Sequence, residues 1–340
     1  MKERIWLTWE RQRRNRTLSE AMGAELYELD YPLPRFRRWL KATGQTVRIL
    51  LSERPRLVFA QNPSLVLALL AVWYGRISGR PAIIDAHNAG VFPFRERHGW
   101  KNRLVRRIME IAVHHVMRQA HVTLVSNAAL AEYVDRAGGR GFALPDPLPE
   151  FGHVAADDAA SSPSVLFICT WASDEPYLEV IKAAARIDPR IRIFITGNSK
   201  GRERLAGASL PTNVVLTGFV SEERFIQLLH SVDVVMDLTT LDDCLVCGAY
   251  EAVGAGQPMV LSDTRALRDY FHQGALFAAS EADSIARAIE TAVANRAELK
   301  AKVEALKQEL SESWQQRRLA LEALLEDAGQ RLPARQPLAK

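Results

Sequence analysis

Short runs of β-branched and large apolar residues recur along the chain, each closed by turn residues and followed by a stretch with helical spacing. They read "RIWLTW", "RLVFA", "PAIIDA" and "HVTLVS" in the first half, then "SVLFICT", "IRIFITG", "NVVLTG", "VDVVMDL", "PMVLSD" and "ALFAA". The runs are apolar throughout and do not alternate, which is the signature of strands buried on both faces. The segments between them are long enough for crossover helices. The pattern predicts an α/β chain of two Rossmann-like α/β/α domains, each with a parallel sheet, facing across a cleft. The boundaries read as 1–150 for the first domain, 151–163 for a linker and 164–310 for the second, followed by a C-terminal helix and tail, 311–340, that can cross back to the first. The linker falls in "LPDPLPEFGHVAADDAASSPS", where prolines and small polar residues break every periodicity. The last helical stretch, Glu281 to Asp327, is predicted to break near Ser311–Trp314.

Composition narrows this picture. At 340 residues and 48% hydrophobic, the chain can bury two cores. Its longest strongly apolar run, Leu65–Tyr74, is about half of the ~20 residues a bilayer span needs, so no span is predicted. The first residues lack the pattern of a signal peptide. Three cysteines, Cys169, Cys244 and Cys247, are too few for a disulfide framework and fit a reducing cytosol. The charge is uneven: residues 1–150 hold 24 Lys+Arg against 14 Asp+Glu, leaving 20 against 26 for the rest. The bases cluster in "RQRRNR", "RFRRWLK" and "RERHGWKNRLVRR", and the last two clusters are interleaved with Phe36, Trp39, Leu40, Trp100, Leu104 and Val105. Such segments suit helices lying on an anionic membrane surface, or a solvated basic face. No nucleic-acid motif accompanies them, so nucleic acid is not an expected partner.

In open parallel sheets ligands bind beyond the carboxyl ends of the strands. The loops to inspect are therefore Trp9–Arg16, Asp85–Gly90, Thr170–Pro176, Thr196–Arg202 and Thr239–Leu245. The richest stretch is "DDCLVCGAYEAVGAGQP", Asp242–Pro258. Its glycines, Gly254 and Gly256, follow a helix and precede a strand, the reverse of a dinucleotide loop, and read as a helix C-terminal turn. Cys244 and Cys247 have no second Cys or His pair nearby to complete a zinc site. Val246, Ala249, Tyr250 and Val253 fall on one helical stripe, which places Asp243 at or just before a helix N-terminus and Glu251 about two turns in. The N–H groups of Cys244, Leu245 and Cys247 then face an anion, favoured there by the helix dipole. An ordinary N-cap is the other reading of Asp243.

Asp243-x7-Glu251 followed by "EAVGAGQP" resembles the acidic-x7-Glu signature of retaining GT-B glycosyltransferases. The resemblance implies that Glu251 holds the ribose of a nucleotide-sugar and that Asp243 contacts the sugar. Further segments, "AQNPSLVLALLA", "IIDAHNAG", "CTWASDEPYLEVIKAA" and "FITGNSKG", are similar to the "QNPP", "IIDWHN", "TSWTPDEDF" and "TGKGP" segments of the chitobiosyldiphosphodolichol β-mannosyltransferases. Those are inverting GT-B enzymes acting on a lipid-diphosphate acceptor. Bacterial polysaccharide β-glucuronosyltransferases are similar in layout. The chain departs from these families in having Ala86 where the mannosyltransferases have tryptophan, and in lacking an Arg…Lys pair after the first strand of the second domain.

The expected chemistry follows from the resemblance together with the loops. Thr170, Trp171, Gly197, Asn198 and Lys200, with Arg202 as a substitute, are candidates for the donor, beside Asp243, Cys244, Leu245 and Glu251. His87, oriented by Asp85, and Glu10 are candidates for taking the acceptor's proton; an imidazole with an unperturbed pKa of ~6.5 suits that task. Arg11, Arg13, Arg14 and Arg16 are candidates for the acceptor's phosphates. No Asp-x-Asp triplet occurs, so no metal held by that motif is expected, and no cofactor beyond the donor. His114 and His115 read as packing residues. The expectation is a cytoplasmic, peripheral membrane glycosyltransferase. It would move one sugar from a UDP- or GDP-sugar to a lipid-linked saccharide in polysaccharide assembly, with inversion as the resemblance to the mannosyltransferases implies. The alternatives are a retaining enzyme, a nucleotide-sugar 2-epimerase and a non-catalytic lipid- or nucleotide-binding subunit.

Overall fold

A computed structural model describes residues 2–62, 64–86, 88–92, 100–152, 162–198, 203, 205 and 210–330. The chain divides into two compact units, Met1–Asp146 with Trp314–Lys340, and Pro147–Ser313.

In the first unit the order is β1 (Arg4–Thr8), α1 (Arg13–Ala21), β2 (Glu25–Glu28), α2 (Arg35–Glu53), β3 (Leu57–Asn62), α3 (Leu65–Ser78), β4 (Ala82–Ala86), α4 (Asn88–Val91), α5 (Trp100–Gln119), β5 (Val122–Val125), α6 (Ala128–Arg136) and β6 (Gly141–Ala143). Its strands form one parallel sheet in the order β2-β1-β3-β4-β5-β6. Successive side chains of a strand point to opposite faces. Ile5, Leu7, Val58, Ala60 and Ile84 therefore meet Ala42, Ile49 and Leu50 of α2, Leu67, Ala68, Ala71 and Val72 of α3, Val116 of α5 and Ala120 just beyond it. On the other face Trp6, Phe59, Ile83 and Val122 meet Leu18 of α1 and Trp314, Leu321 and Leu325. Trp6 stacks on Phe59 at 4.9 Å between ring centroids. That pairing adds about 0.5–1.5 kcal/mol beyond the area buried.

The second unit runs β7 (Ser164–Phe167), α7 (Tyr177–Ala184), β8 (Arg192–Thr196), β9 (Val214–Gly218), α8 (Glu222–Ser231), β10 (Val234–Asp237), α9 (Cys247–Ala255), β11 (Met259–Ser262), α10 (Arg265–Tyr270), β12 (Ala275–Ala278) and α11 (Ala282–Ala294). This sheet is also parallel, in the order β12-β11-β10-β7-β8-β9. A final helix, α12 (Arg296–Gln330), begins in the second unit and ends in the first.

All ten apolar runs are strands. Two further strands, β2 and β6, were not expected, and they are the two edges of the first sheet. The late helical stretch breaks at Asn295, the C-cap of α11, and not near Ser311–Trp314. No glycine or proline interrupts "SESW", and Leu310 and Trp314 are buried one turn apart, so the helix continues through it. Residues 153–161 of the expected linker lie outside the described residues. Among the described residues no helix is long and apolar enough to cross a membrane.

Candidate functional site

In the second sheet the strand order reverses between β7 and β10: β8 and β9 lie to one side, β11 and β12 to the other. The loops leaving β7 and β10 diverge there and leave a crevice at the carboxyl edge. They carry Thr170, Asp243, Cys244 and Leu245, while Gly197 and Asn198 directly follow β8. Two hydrogen bonds tie the loops together: Thr239 Oγ1 donates to Asp174 Oδ2 at 2.7 Å, and Thr240 N donates to the Asp174 carbonyl at 2.7 Å.

The β7 loop is organised around Glu175. Its carboxylate accepts the N–H groups of Thr170 at 3.0 Å and Ala172 at 2.8 Å, together with the Thr170 hydroxyl at 2.8 Å. Trp171 lies within this turn with φ of 64°, in the left-handed region. Its indole is buried in the core and meets Tyr177 edge-on at 5.2 Å, so Trp171 supports the loop from below and does not line the crevice as expected. Gly197, with φ of 118°, lies against that indole, where a Cβ would collide with Nε1. Lys200 and Arg202 lie outside the described residues.

Helix α9 buries Ala249, Tyr250 and Val253, as the stripe predicts. It begins only at Cys247, however, and its N-cap, Val246, has no side-chain acceptor to offer. Asp237 at the end of β10 supplies one, accepting Gly248 N at 2.8 Å through Oδ2. Residue 248 is glycine for this reason: a Cβ would lie 2.5 Å from that oxygen and 2.7 Å from Ile168 Cδ1. Burial pushes the Asp237 carboxyl well above the ordinary carboxylate range. The Gly248 N–H opposes that shift, and the charges of Glu175, Glu251 and Asp174 add to it.

Three expectations are thereby corrected. Asp243 does not stand at the helix start but in the preceding turn, where Cys244 N bonds the Leu241 carbonyl at 3.4 Å. The Cys244 N–H is thus spent in the turn and the Gly248 N–H on Asp237, so the expected cradle of helix N–H groups is not built that way. Glu251, half-buried, lies one turn into the helix instead of two. Gly256 closes the helix with φ of 69° and its N–H on the Ala252 and Val253 carbonyls, the expected glycine turn.

The first sheet reverses between β1 and β3. Here Glu10 is exposed, its carboxylate accepting Gln12 Nε2 at 2.9 Å. Behind it a polar network continues inward. Gln61 Nε2 donates to Gln12 Oε1 at 2.7 Å, the Thr8 hydroxyl donates to Gln61 Oε1, and Asn15 Nδ2 donates to Thr8 Oγ1 at 3.1 Å.

Arg14 and Asp85 also differ from expectation. Arg14 shares the inner stripe of α1 with Leu18, and its guanidinium is buried. It donates to both oxygens of Asp85 (3.1 and 3.2 Å from Nε, 2.8 Å from Nη2), to Asp146 at 2.7 Å and to the Leu144 carbonyl at 2.9 Å. Burial alone would lower the Arg14 pKa; the charges of Asp85 and Asp146 and their hydrogen bonds more than reverse this, holding it above its ordinary value. Asp85 is 0% exposed, so it does not itself reach an acceptor, and Arg14 is not a phosphate ligand at the surface. Arg16 pairs with Glu28 at 3.0 Å and Arg11 lies 3.7 Å from Asp30, while Arg13 is exposed on the first turn of α1. His87 lies outside the described residues. His114 bonds the Tyr133 hydroxyl at 2.9 Å, whereas His115 is exposed and does not pack inward. Among the described residues no group of three His, Cys, Asp or Glu side chains is placed to hold a metal ion.

Residues 161–309 match the family model for glycosyl transferases group 1. The second unit is thus similar to a group 1 glycosyltransferase domain. Solved structures extend the likeness of the fold to both units of the chain. HepE from Anabaena, in complex with UDP and glucose, superposes with a TM-score of 0.70 at 14% identity over 95% of this chain and 100% of its own. Sucrose-phosphate synthase from Thermosynechococcus elongatus gives 0.70 at 16% identity, over 89% of this chain and 83% of its own. An α,α-trehalose-phosphate synthase from Burkholderia xenovorans, a UDP-forming enzyme, gives 0.62 at 14% identity, over 93% and 84%. The fold of the chain is GT-B. No curated protein matches it by sequence.

Reasoning from the sequence missed Asp237, Glu175 and the Thr8–Gln12–Gln61 network. A signal existed for the first, since an acid closing the apolar run "VDVVMD" stands at a strand's carboxyl end. None existed for Glu175, whose partners are backbone groups.

Proposed function

We propose that this glycosyltransferase transfers a single sugar from a UDP- or GDP-sugar to a lipid-linked saccharide at the cytoplasmic face of a membrane, in the assembly of a polysaccharide or glycan. The donor binds the second unit and the acceptor the first, and no resident cofactor takes part. The observation that carries this reading is the reversal of strand order between β7 and β10, with Thr170 on one loop and the Asp243–Glu251 segment beginning on the other. Support also comes from HepE, which shares the fold and is solved with UDP and glucose.

In this reading Glu251 accepts the ribose hydroxyls, and Asp243 and Asn198 flank the sugar. Lys200 and Arg202 compensate the departing diphosphate. Transfer proceeds with inversion: the acceptor hydroxyl attacks the anomeric carbon from the face opposite the diphosphate while Glu10 or His87 takes its proton, and the nucleoside diphosphate leaves with the bonding pair. Buried in its pair with Arg14, Asp85 does not itself take that proton.

Calorimetric titration with UDP, GDP and their sugars tests the donor site. A charge-assisted hydrogen bond is worth about 1.5–3 kcal/mol, so Glu251→Ala should weaken the nucleotide by about 10- to 150-fold. Unchanged affinity would end the donor assignment. The anomeric configuration of the product, read by NMR, separates inversion from retention, and isomerisation of the donor without acceptor would point to an epimerase instead.

A further inference from the structure

Helices α2, α3 and α5 cover one face of the first sheet and share one core. A helix packed on a sheet ordinarily keeps its apolar residues on the inner side. These three carry a second apolar set facing outward. On α2, Phe36, Leu40, Val47 and Leu51 repeat at helical spacing opposite the buried Ala42 and Ile49, with Phe36 71% and Leu51 65% exposed. On α3, Trp73 and Ile77 are exposed, Ile77 to 87%. On α5, Leu104, Ile108 and Ile111 form a third outward stripe, Ile111 being 65% exposed. Neighbouring helices pack α2 on α3 and α3 on α5, so the three sets adjoin.

The charge on the same helices selects the partner. Their sequences hold 11 Lys and Arg against 2 acids, Glu53 and Glu110. Arg35, Arg37, Lys41, Arg48, Arg76, Arg103 and Arg107 are exposed among the apolar residues. The Arg35 guanidinium lies 5.0 Å from the centre of the Trp39 ring, an amphipathic pairing of the kind that settles at a lipid headgroup boundary. A second copy of this chain would bring the same bases opposite themselves, and a neutral protein surface would leave them unmatched.

We infer that the outer face of α2, α3 and α5 docks on an anionic lipid bilayer, with Phe36, Leu40, Trp73, Ile77, Ile108 and Ile111 entering the headgroup layer and the bases meeting lipid phosphates. α3 lies in the middle of this face. It contributes one base and two large apolar side chains, so the face is driest at its centre. The inference rests on the proposed reading only in that a lipid-linked acceptor makes a bilayer the expected surface, and the two can fail separately.

Flotation of the full chain with vesicles tests it, using phosphatidylcholine alone and phosphatidylcholine with about one third phosphatidylglycerol. Each base near such a surface is worth about fivefold in partitioning. The anionic vesicles should therefore bind at least 100-fold better, and about 0.5 M salt should abolish the difference. Ile77→Ser with Ile108→Ser should lower partitioning by tenfold or more, and Arg37→Glu with Lys41→Glu by a similar factor. Both pairs should leave transfer to a water-soluble acceptor analogue unchanged. Equal binding to both vesicles, binding that survives the substitutions, or a dimer in solution that Ile77→Ser dissociates would each overturn the inference. Vesicle binding as described, with no transfer to any acceptor, would leave docking standing and remove the proposed function.

Discussion

Arg14→Met removes the buried guanidinium bonded to Asp85, and the size of the effect can be worked out in advance. Asp85 is fully buried, and both of its oxygens accept from the Arg14 guanidinium. Taking one partner from a buried pair costs about 3–5 kcal/mol, because the remaining charge is uncompensated. Methionine returns about 1 kcal/mol through its apolar packing. Asp146 is 30% exposed and exchanges its lost donor for water. The net loss is about 2–4 kcal/mol, a large part of the 5–15 kcal/mol that holds a domain folded. Removing both charges, Arg14→Met with Asp85→Leu, is neutral to stabilising by about 1–4 kcal/mol, less about 1 kcal/mol for the Leu144 carbonyl that loses its donor. The double variant should therefore stand above the single one. Native-state hydrogen exchange suits the measurement, since a chain of two units need not unfold in one transition. Amides of β4 should exchange about 30- to 1,000-fold faster in the single variant and near the wild-type rate in the double, with β10 and β11 as the internal reference. Unchanged protection in Arg14→Met would refute the reasoning. A folded double variant that no longer transferred sugar would return Asp85 to the chemistry.

Two further predictions concern the start of α9. The Asp237 pKa is raised in the folded state, so its contribution to stability is fully present below the ordinary carboxylate pKa and is lost as pH rises through the raised value, by up to about 1.4 kcal/mol per pH unit. Asp237→Asn keeps an acceptor for Gly248 N without the charge, so its melting temperature should gain on the wild type as pH increases; a constant difference between about pH 4 and about pH 9 would reject the assignment. Gly248→Ala sets about 1 kcal/mol of helix propensity against about 1–3 kcal/mol for the displaced Asp237 bond and a further cost for moving Ile168, and should destabilise the second unit by about 1–2 kcal/mol. Combined with Asp237→Ala it should cost less than the sum of the two, and strict additivity in urea titrations would count against the contact.

The legible parts of the fold were those whose burial is local in sequence. A strand covered on both faces must be apolar throughout, so ten of the twelve strands could be read, including all those next to the two reversals of order. The edge strands β2 and β6 carry only part of that demand: "ELYE" and "GFA" have no run of apolar residues. The buried face of α9 was legible for the same reason, but its first residue was not, because the capping acceptor comes from Asp237, ten residues before the helix. Arg14 was misassigned among four arginines of similar local context. Helical phase distinguishes it, since Leu18 and Met22 follow at intervals of one turn and both are buried. Glu10 remains where the strand pattern places it, at a carboxyl end, because a loop of that length has nowhere else to go.

Charge at the second reversal constrains how a donor can bind there. The loops after β7 and β10 contain Asp174, Glu175, Asp242 and Asp243 and no lysine or arginine. The N–H groups of Thr170 and Ala172 already donate to Glu175, and that of Gly248 to Asp237. A diphosphate entering this crevice must therefore displace a carboxylate from groups that suit an anion, or be compensated from the β8 loop, where Lys200 and Arg202 stand in the sequence. Displacement is the less costly of the two than it first looks, because phosphate oxygens accept the same N–H bonds that Glu175 gives up, and the exchange of one acceptor for another leaves the donors satisfied. What the exchange cannot mend is repulsion between the acids and the phosphates. A protonated Asp237 lessens it by one charge at the centre of the cluster. On the proposed reading, the second unit loses nucleotide as pH rises beyond the raised Asp237 pKa, where its loss of stability ends, since both follow from the same proton.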